Sequence, residues 1–417
     1  MKTIGIIAEF NPFHNGHKYL IDKCKKDLNA DRVVIVMSGN FVQRGAPAIL
    51  DKFTRADCAV NLGADLVLEL PVYYSLGSAE YFAMGAITIL NSLGCIDYLC
   101  FGSELPDTAR LMQVADIACK EPPSYKENLN SALKSGESFA SARAIAIMEE
   151  LKNKPGFSDK TDLLAMLSSP NSILAIEYLR ALKKTESTIK PYVIQRVGHA
   201  YHSEELGTIP SAAGIRARLL SGSSDRVKLN APFILDGVMP REGIEALSGY
   251  EGRFVQSNDF SALMHYKLLS EKMSGYQKYL DVTRDISNKI ANNIEYAESF
   301  SGLTSRLKSK NLVYTRVSRC LFHILLNITE ENMSEYKQDN YTSYARVLAF
   351  REQSSDILRL MHNNSVIPVL DRPKDADKLL SPLQKRLFDE TMTASQIYNN
   401  IACNGITSEY RRKYGAS

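Results

Sequence analysis

Residues 4–20 read I-G-I-I-A-E-F-N-P-F-H-N-G-H-K-Y-L, and this stretch decides the fold. Its first residues, 4–7, predict a short buried strand, because a brief apolar run that ends in turn residues is typical of a strand in a parallel sheet. Asn11 and Pro12 end the strand, and Gly16 begins an apolar spacing that predicts a helix. A strand, a turn and a helix start are therefore expected in direct succession.

Two histidines, His14 and His17, flank Gly16 at the predicted start of this helix. The first turn of a helix presents unpaired backbone N–H groups and the positive end of the helix dipole, so an anion placed there meets several donors. The pattern predicts a phosphate site in which both histidines take part. A simpler interpretation stays open, in which one histidine is solvated in the turn and the other caps the helix.

The composition is typical of a globular protein with more than one domain. The chain has 417 residues, of which 45% are hydrophobic, so we expect two or three domains with sizeable cores. The first residues lack the basic segment and apolar run of a secretory leader, and no stretch approaches the ~18 apolar residues of a membrane helix. We therefore expect no membrane association and a cytoplasmic location.

The seven cysteines are odd in number and widely spaced, and none forms a C-x-x-C pair. This spacing argues against a disulfide framework and against a zinc site, and it is typical of reduced thiols. His199 and His202 form an H-x-x-H pair, but the sequence offers no third ligand near them. We therefore expect no resident metal at this pair.

Strand-like and helix-like segments alternate through the first part of the chain. Buried strands are predicted at residues 33–37, 65–70, 98–101 and 192–196, with helices at 51–62 and 78–93. Repeated β-α units of this kind predict a doubly wound, parallel α/β sheet that binds ligands at the carboxyl ends of its strands. We predict a helical insertion at about 107–160. Residues 107–151 lose the alternation and indicate two or three helices, and residues 152–160 are expected to form a loop.

Polar residues follow the predicted strands. The segment 38–45, S-G-N-F-V-Q-R-G, is too polar and glycine-rich for regular structure. Such a loop can bring Gln43, Arg44 and, from the next helix, Lys52 to a polyphosphate or a carboxylate substrate. A solvated loop with ordinary helix-end charges explains the pattern equally well. Gly102 ends a later strand where backbone can approach a ribose or purine, although a plain turn explains it nearly as well.

Three further segments lie where a ligand phosphate would bind. Asn171 is in the first turn of a helix that begins with Ser-Pro, and Arg196 ends a predicted strand. A role for Asn171 confined to the helix end is the alternative. The segment S-A-A-G-I-R runs from Ser211 to Arg216 and predicts a small-residue turn followed by a helix start. Backbone N–H groups and one guanidinium would hold phosphate there.

The chain changes character after residue 250. Long helical segments are predicted at 258–273, 281–298 and 313–327, followed by a strand-turn-helix mixture. Residues 1–250 contain 27 Lys and Arg against 28 Asp and Glu, a balance of −1, whereas residues 251–417 contain 23 against 19, a balance of +4. We expect a phosphate-binding catalytic domain at 1–250 and a mainly helical, basic, RNA-binding region at 251–417.

The positive bias is concentrated in one segment. No acidic residue occurs between Glu298 and Glu330, and Tyr314 and His323 lie within this interval. Its candidate RNA-binding residues are Arg306, Lys308, Lys310, Arg316 and Arg319. A run of one sign with aromatic neighbours suits a nucleic-acid backbone and stacked bases, and a solvated helix face is the alternative.

Several of these stretches resemble a known family. The strand, H-x-G-H and helix opening resemble the signature of the nucleotidyltransferase superfamily, whose fold is a doubly wound sheet. They are followed in order by M-S-G-N-F-V-Q-R-G, G-A-D-L-V-L-E-L-P, F-G-S-E, S-P-N-S-I-L and S-A-A-G-I-R. The whole series resembles the bacterial tRNA(Met) cytidine acetate ligases over most of residues 1–220. The chain departs from many superfamily members at Ala212, Ala213 and Gly214, where they place hydroxyl side chains.

The resemblance implies a cytoplasmic enzyme with a two-step reaction. Acetate attacks the α-phosphate of ATP to give acetyl-adenylate, and the amine of the wobble cytidine of elongator tRNA(Met) then takes the acetyl group. His14 and His17 would stabilise charge on the phosphates. Mg²⁺ is expected with ATP, with Glu9 or Glu104 holding water around the ion. The implied ATP contacts are Ile7, Ala8, Glu9, Phe10, Asn11, Pro12, Phe13, His14, Asn15, Gly16, His17, Lys18, Tyr19, Leu20, Gly102, Asn171 and Arg196, to which the helix-start pattern adds Ser211 and Arg216.

Two other functions remain open at the level of the sequence. The first is an adenylyltransferase that transfers AMP to a small molecule. The second is an RNA-binding protein with an inactive ATP site, which is motivated by the alanines at 212 and 213. Acetate-dependent release of pyrophosphate separates the ligase from both.

Overall fold

The computed structural model of the protein describes residues 1–152, 154, 157, 160–196, 211–221, 224–296, 298–403 and 408–411. The strands in these ranges are β1 (Thr3–Ala8), β2 (Arg32–Ser38), β3 (Phe41–Val42), β4 (Ala46–Pro47), β5 (Leu66–Leu70), β6 (Tyr98–Ser103), β7 (Lys190–Gln195), β8 (Ala345–Phe350) and β9 (Val369–Leu370). Seven of these strands form one sheet in the order β7-β6-β1-β2-β5-β8-β9. All its neighbouring pairs are parallel except β5 with β8.

Helices cover the sheet and make up most of the second half of the chain. They are α1 (Asn15–Asp27), α2 (Lys52–Asn61), α3 (Val72–Ser75), α4 (Ala79–Ser92), α5 (Thr108–Lys120), α6 (Pro123–Lys134), α7 (Phe139–Leu151), α8 (Lys160–Ser168), α9 (Pro170–Lys184), α10 (Ala212–Leu219), α11 (Ser224–Leu235), α12 (Arg241–Ser248), α13 (Ser261–Glu271), α14 (Arg284–Ala291), α15 (Phe300–Leu307), α16 (Tyr314–Leu325), α17 (Glu330–Gln338), α18 (Ser355–Asn364), α19 (Ala376–Leu379) and α20 (Pro382–Ala402). Short 3₁₀ helices lie at Ser257–Phe260, Ile294–Tyr296, Glu352–Ser354, Pro373–Asp375 and Glu409–Arg411. In the described part of the chain, none of these helices has the length and apolar character needed to span a bilayer.

The strand β1 lies inside the sheet, between β2 and β6. Ile6 faces Ile35 of β2 and Cys100 of β6 in register, and these three side chains are buried. A strand with neighbours on both sides and helices on both faces has no solvated face, which explains the continuous apolar run of β1. The chain leaves β1 for β2 on one side and returns to β6 on the other. The carboxyl ends of β1 and β6 thus form the crevice in which doubly wound folds bind ligands.

The predicted doubly wound fold and helical C-terminal region are confirmed, but the sheet does not end at residue 250. Strands β8 and β9 come from the second half of the chain and extend the sheet beyond β5. The largest apolar core also joins the two halves, since the ring of Phe41 packs against Phe322 and Tyr398. Residues 251–417 therefore share a core with residues 1–250. The division at 250 is one of proposed function, not of separate folding units.

The helical insertion contains three helices, α5 to α7, within residues 107–151, where two or three were expected. A fourth helix, α8, follows before α9. Residues 160–168, at whose start a loop was expected to end, form α8. A smaller apolar core lies under α10, α11 and α12, where Ile215, Leu235 and Leu247 pack against Ile49 and Leu50. This core places residues 211–250 beside the start of α1.

Candidate active site

The two histidines of the H-x-G-H motif lie together at the start of α1. His14 is the N-cap residue of α1, and its ring stacks on that of His17 with 3.8 Å between centroids and 24° between planes. The backbone N–H of Gly16 donates to Nδ1 of His14 at 3.1 Å. The backbone N–H of His14 donates to Nδ1 of His17 at 3.2 Å. Each ring thus satisfies a backbone donor through the same nitrogen.

These hydrogen bonds assign the protonation of both rings. Because Nδ1 accepts in each case, the proton of each neutral ring lies on Nε2, which is left as a donor. Burial, together with the charges of Arg196 and Arg216, lowers the pKa of His14 to about 3. Burial, the neighbouring His14 and Arg196 lower the pKa of His17 well below its ordinary value. At neutral pH the pair presents two uncharged N–H donors.

Arg196 is positioned by residues of α9 and β6. Its Nη1 donates to Oδ1 of Asn171 at 3.1 Å, and its backbone N–H continues the β6–β7 ladder to Ser103. Gly102 lies beneath its side chain, because a Cβ at Gly102 would approach Cγ of Arg196 to 2.9 Å. The predicted residues Gly102, Asn171 and Arg196 therefore lie together at the carboxyl ends of β6 and β7. The positive charge of Arg196 is close enough there to lower the pKa of both histidines.

Glu104 fixes the orientation of Asn171. Its carboxylate accepts from Nδ2 of Asn171 at 2.6 Å and from the backbone N–H and hydroxyl of Ser172 at 3.0 and 3.1 Å. Ser169, the N-cap residue of α9, makes no side-chain cap bond, so Glu104 caps this helix from outside it. With Nδ2 bound to Glu104, Oδ1 of Asn171 must face Arg196. The sequence did not predict this role, which depends on contacts 67 and 68 residues apart.

Arg216 reaches the site from α10. Its Nη1 donates to the backbone carbonyl of Asn11 at 2.6 Å, inside the turn that precedes α1. Ser211 is the N-cap residue of α10 and accepts from the backbone N–H of Gly214 at 3.2 Å. Asn15 adds a second link, since its Nδ2 donates to the carbonyl of Gly237 at 2.8 Å. The predicted Ser211 to Arg216 turn therefore lies beside the H-x-G-H motif.

The other residues of the 7–20 segment differ in their surroundings. Phe10, with a positive φ of 46°, packs with Phe13 and the ring of His17 in an apolar wall. Oδ1 of Asn11 accepts from the backbone N–H of Ile49 at 2.8 Å. Lys18 is in an ion pair with Asp22 along α1. The remaining members of the predicted ATP contacts in this segment are Ile7, Ala8, Glu9, Pro12, Gly16, Tyr19 and Leu20; all lie in β1, the turn or the first turns of α1.

Gln43 and Arg44 form the tip of the hairpin made by β3 and β4. The backbone N–H of Gln43 donates to Oε1 of Glu9 at 2.9 Å, which ties the hairpin to the end of β1. Lys52 was expected beside them at a phosphate, and its position argues against that role. Its ammonium is fully buried, 2.6 Å from Glu69, and therefore neutralises a carboxylate of the core.

Lys52 belongs to a buried group of four charges, which we call the charge quartet: Lys52, Glu69, Arg346 and Glu409. Glu69 accepts from Nη1 of Arg346 at 2.7 Å, and Glu409 lies 3.0 Å from Lys52 and also contacts Arg346. Burial alone would raise the pKa of Glu409, but Lys52 and Arg346 hold it at about 2. The quartet is neutral overall and joins β5, α2, β8 and the segment 408–411 in the core.

Arg55 is a second buried cation that the sequence left without a role. It is 1% exposed, and its guanidinium donates to four backbone carbonyls, those of Glu9, Ser38, Gly39 and Leu50. Burial lowers its pKa. Because these carbonyls follow β1 and β2, Arg55 holds the two ligand-facing loops together. The sequence offered one signal for this role, which is a charged residue on the apolar face of an amphipathic helix.

The predicted RNA-binding residues divide into two groups. Arg306, Lys308 and Lys310 are exposed near the end of α15, and Nε of Arg306 donates to Asn293. Arg316 and Arg319 lie in α16 and are only partly exposed. Nη1 of Arg319 faces the carbonyl of Gln43 at 3.4 Å, so α16 contacts the hairpin. Arg319 of the second group therefore contacts the hairpin that is hydrogen-bonded to Glu9 at the end of β1.

The described residues offer no carboxylate cage for Mg²⁺. No cluster of three or more His, Cys, Asp or Glu side chains suited to a metal occurs among them. Glu9 accepts from Gln43, and Glu104 accepts from Asn171 and Ser172, so both candidate carboxylates are already engaged. The residues of this site do not fit a protein-bound Mg²⁺. His199 and His202 lie outside the described residues.

The geometry agrees with what this chain is similar to. The family model described as HIGH Nucleotidyl Transferase matches residues 1–413. The chain belongs to the HIGH nucleotidyl transferase family. Among curated proteins, it is 38% identical over 407 residues to the tRNA(Met) cytidine acetate ligase of Clostridium perfringens strain SM101, covering 96% of this chain and 95% of that protein. It is also 38% identical to the protein of the same name from Clostridium novyi strain NT, with 96% and 97% covered.

Two solved structures have the same fold over nearly the whole chain. Apo TmcAL of Thermotoga maritima superposes with a TM-score of 0.89 at 28% identity, covering 98% of this chain and 96% of that one. The same protein bound with alpha-thio ATP gives a TM-score of 0.86 at 30% identity, with coverages of 96% and 95%. The similarity therefore includes the helical second half as well as the sheet.

Proposed function

We propose that this protein is an ATP-dependent ligase that activates acetate as acetyl-adenylate and transfers the acetyl group to the N4 amine of the wobble cytidine of elongator tRNA(Met). The observation that carries the proposal is the stacked His14–His17 pair, which presents two Nε2–H donors beside Arg196 at the start of α1. The relatives named tRNA(Met) cytidine acetate ligase support it over nearly their full length.

The first step is a displacement at the α-phosphorus of ATP. A carboxylate oxygen of acetate forms the new P–O bond, and the bond to the β-phosphate oxygen breaks, so pyrophosphate leaves with the electron pair. Negative charge grows on the phosphate oxygens, and the Nε2–H groups of His14 and His17 with the guanidinium of Arg196 stabilise it. Neutral imidazoles suit this task because they donate hydrogen bonds without needing a proton from solvent.

The second step is acyl transfer to the cytidine. The N4 amine attacks the carbonyl carbon of acetyl-adenylate, AMP leaves with the electron pair of the C–O bond, and the amine loses a proton to water. This step needs no covalent enzyme intermediate. We propose that residues 1–250 carry the chemistry and that residues 251–417 bind tRNA. A tRNA-modifying enzyme acts where tRNA resides, so we place it in the cytoplasm.

Mg²⁺ enters this proposal with ATP. Its phosphate oxygens and water are the ligands that Mg²⁺ prefers, and the ion keeps several waters when a nucleotide carries it. No carboxylate of the described site is assigned to the ion, because Glu9 and Glu104 are bound to backbone and amide donors.

The test is direct. Elongator tRNA(Met) is incubated with the protein, ATP and isotopically labelled acetate, and its nucleosides are analysed by mass spectrometry. We expect labelled N4-acetylcytidine at the wobble position and none when acetate or ATP is omitted. Stable transfer of AMP to a small molecule, or no acetate-dependent release of pyrophosphate, would contradict the proposal.

A further inference from the structure

The hairpin of β3 and β4 is held between α16 and the end of β1. On one side, the hydroxyl of Ser318 donates to the carbonyl of Gly45. Gly45 has a φ of +76°, and a Cβ there would lie 2.6 Å from the backbone nitrogen of Arg319. No other residue type therefore allows this approach of helix and hairpin without a shift. The backbones of α16 and the hairpin therefore approach each other closely at Gly45.

On its other side, the hairpin touches the end of β1. Glu9 accepts from the backbone N–H of Gln43 at 2.9 Å, and the carbonyl of Glu9 accepts from Arg55 at 2.6 Å. The backbone N–H of Gln43 therefore donates to Glu9, and its carbonyl accepts from Arg319. Two hydrogen bonds from one peptide residue connect α16 to the segment that precedes His14.

The charge at this junction is unbalanced. Arg316 and Arg319 lie one turn apart on α16, and neither takes part in an ion pair within the part of the chain that the structure describes. Nε of Arg319 is buried without a hydrogen-bond partner. Burial and the neighbouring Arg316 lower the pKa of Arg319, and Asp281 opposes this only in part. A partly buried cation beside a like charge is stabilised when an anion joins it.

We propose that the junction of Arg316 and Arg319 with the 41–47 hairpin is a binding surface for RNA phosphate, which places the acceptor nucleoside against the adenylation site. Phosphodiesters are the anions that pair best with arginine, through bidentate, charge-assisted hydrogen bonds. Tyr314 starts the same helix, is 38% exposed, and offers a ring on which a neighbouring base can stack. This inference rests on the proposed function, since it assigns the path of its RNA substrate.

The first experiment removes the two charges. We expect Arg316→Gln with Arg319→Gln to weaken tRNA binding about tenfold at moderate salt and to lower the slope of log K against log salt by about 1 to 2. The matched control is Arg359→Gln with Arg372→Gln, which removes the same charge from α18 and the β9 edge of the sheet. An unchanged slope in the α16 variant, or an equal change in the control, overturns the proposal.

A second arm separates RNA phosphate from ATP phosphate. Acetate-dependent pyrophosphate release is measured without RNA over a range of ATP concentrations. For the α16 variant we expect a KM for ATP within about twofold of the control variant, because the proposal assigns Arg316 and Arg319 to RNA phosphate and not to ATP. A KM that rises tenfold or more assigns the surface to ATP and overturns the proposal. If wild-type protein releases no pyrophosphate with acetate, the proposed function fails, and the salt slope still decides the RNA surface.

A third variant tests the contact itself. Gly45→Ala forces α16 and the hairpin apart, and Gly136→Ala is its control, since Gly136 has a φ of +90° with nothing within 4 Å of an added Cβ. Both carry the backbone strain of a left-handed position. We expect only Gly45→Ala to lower acetyl transfer at saturating tRNA about tenfold, with thermal midpoints of the two variants compared alongside. Equal transfer by both variants overturns the assigned placement of the nucleoside.

Discussion

At the scale of single residues, we propose that His14 and His17 each act on phosphate through one atom. Nδ1 of each ring accepts a backbone hydrogen bond, so Nε2–H is the atom that is left for phosphate. We expect His14→Ala and His17→Ala each to lower acetate-dependent pyrophosphate release by a factor on the order of 10² to 10³, as lost oxyanion donors do. The tRNA affinity serves as the control and should stay within about twofold. Unchanged pyrophosphate release in either variant would contradict the assigned role.

The depressed pKa of His14 has a consequence for stability. The folded protein holds this ring neutral down to a pKa of about 3, whereas its ordinary value is 6.5. Between these values the unfolded chain binds more protons, so the free energy of unfolding falls as pH drops below 6.5, by at most about 1.4 kcal/mol per pH unit for one group. His14→Asn keeps a capping acceptor and does not titrate. Urea denaturation at pH 7 and pH 5 should show a smaller loss for this variant than for wild type.

We propose that Glu104 affects the reaction by positioning Asn171, which binds Arg196. In Glu104→Gln the side chain keeps one acceptor oxygen and loses the other, so Asn171 and Ser172 compete for it. A lost charge-assisted bond of this kind costs about 1.5–3 kcal/mol, so we expect kcat/KM for ATP to fall roughly tenfold or more. Steady-state pyrophosphate release against ATP measures it. An unchanged kcat/KM with a lower thermal midpoint would indicate that Glu104 only caps α9.

The sequence predicted some residues of the site and misjudged others for physical reasons. The sequence indicated that His14 and His17 lie together because their contacts are within one helical turn. The orienting role of Glu104 was missed because its partners lie 67 and 68 residues away. Lys52 was assigned to a phosphate because the sequence does not show whether a lysine in the first turn of a helix faces solvent or a buried carboxylate. In the structure it faces the buried carboxylate of Glu69.

At the scale of elements, the position of Arg196 at the ends of β6 and β7 requires that residue 102 has no side chain. Arg196 crosses Gly102 on its way to Asn171, and a Cβ at Gly102 would lie 2.9 Å from Cγ of Arg196. We expect Gly102→Ala to displace the guanidinium and raise the Kd of ATP about tenfold, with little change in thermal midpoint. Isothermal titration with ATP is the measurement. An unaltered Kd would show that Arg196 adapts or does not meet the nucleotide.

Elements whose pattern is local were predicted well. The central strands carry continuous apolar runs because they are buried on both faces, and β2, β5 and β6 lie where these runs were read. The strand β8 was left inside a mixed segment, since its pairing partner β5 is remote in sequence. The ladder that makes it a strand is formed only by tertiary contact, which explains the difference.

At the scale of the whole molecule, the two halves of the chain complete one sheet. Without residues 251–417, β5 would become an exposed edge, and the apolar side chains of Phe41 and its neighbours would lose Phe322 and Tyr398. We expect residues 1–250 expressed alone to be aggregated or partly unfolded, by circular dichroism and size-exclusion chromatography. A monomeric, cooperatively folded fragment would contradict this and support two independent domains.

We expect substitutions in the charge quartet to lower the free energy of unfolding as much as substitutions in the apolar core around it. Glu409→Gln leaves one buried positive charge uncompensated between Lys52 and Arg346, and breaking a buried pair in this way costs about 3–5 kcal/mol. We expect a loss of that order in the free energy of unfolding by urea. Glu→Gln at the exposed Glu245 is the control and should change it by less than about 0.5 kcal/mol. Equal effects would place Glu409 at the surface in solution.

The position of Glu409 in the quartet also orders events during synthesis. Residue 409 leaves the ribosome long after β1, α1 and β5 have emerged, and β8 precedes it by only some sixty residues. Until then the buried group of Lys52, Glu69 and Arg346 lacks the carboxylate of Glu409. Nascent and prematurely ended chains therefore carry the H-x-G-H motif on an incomplete scaffold. The buried charge network of the sheet is therefore complete only after residue 409 has emerged.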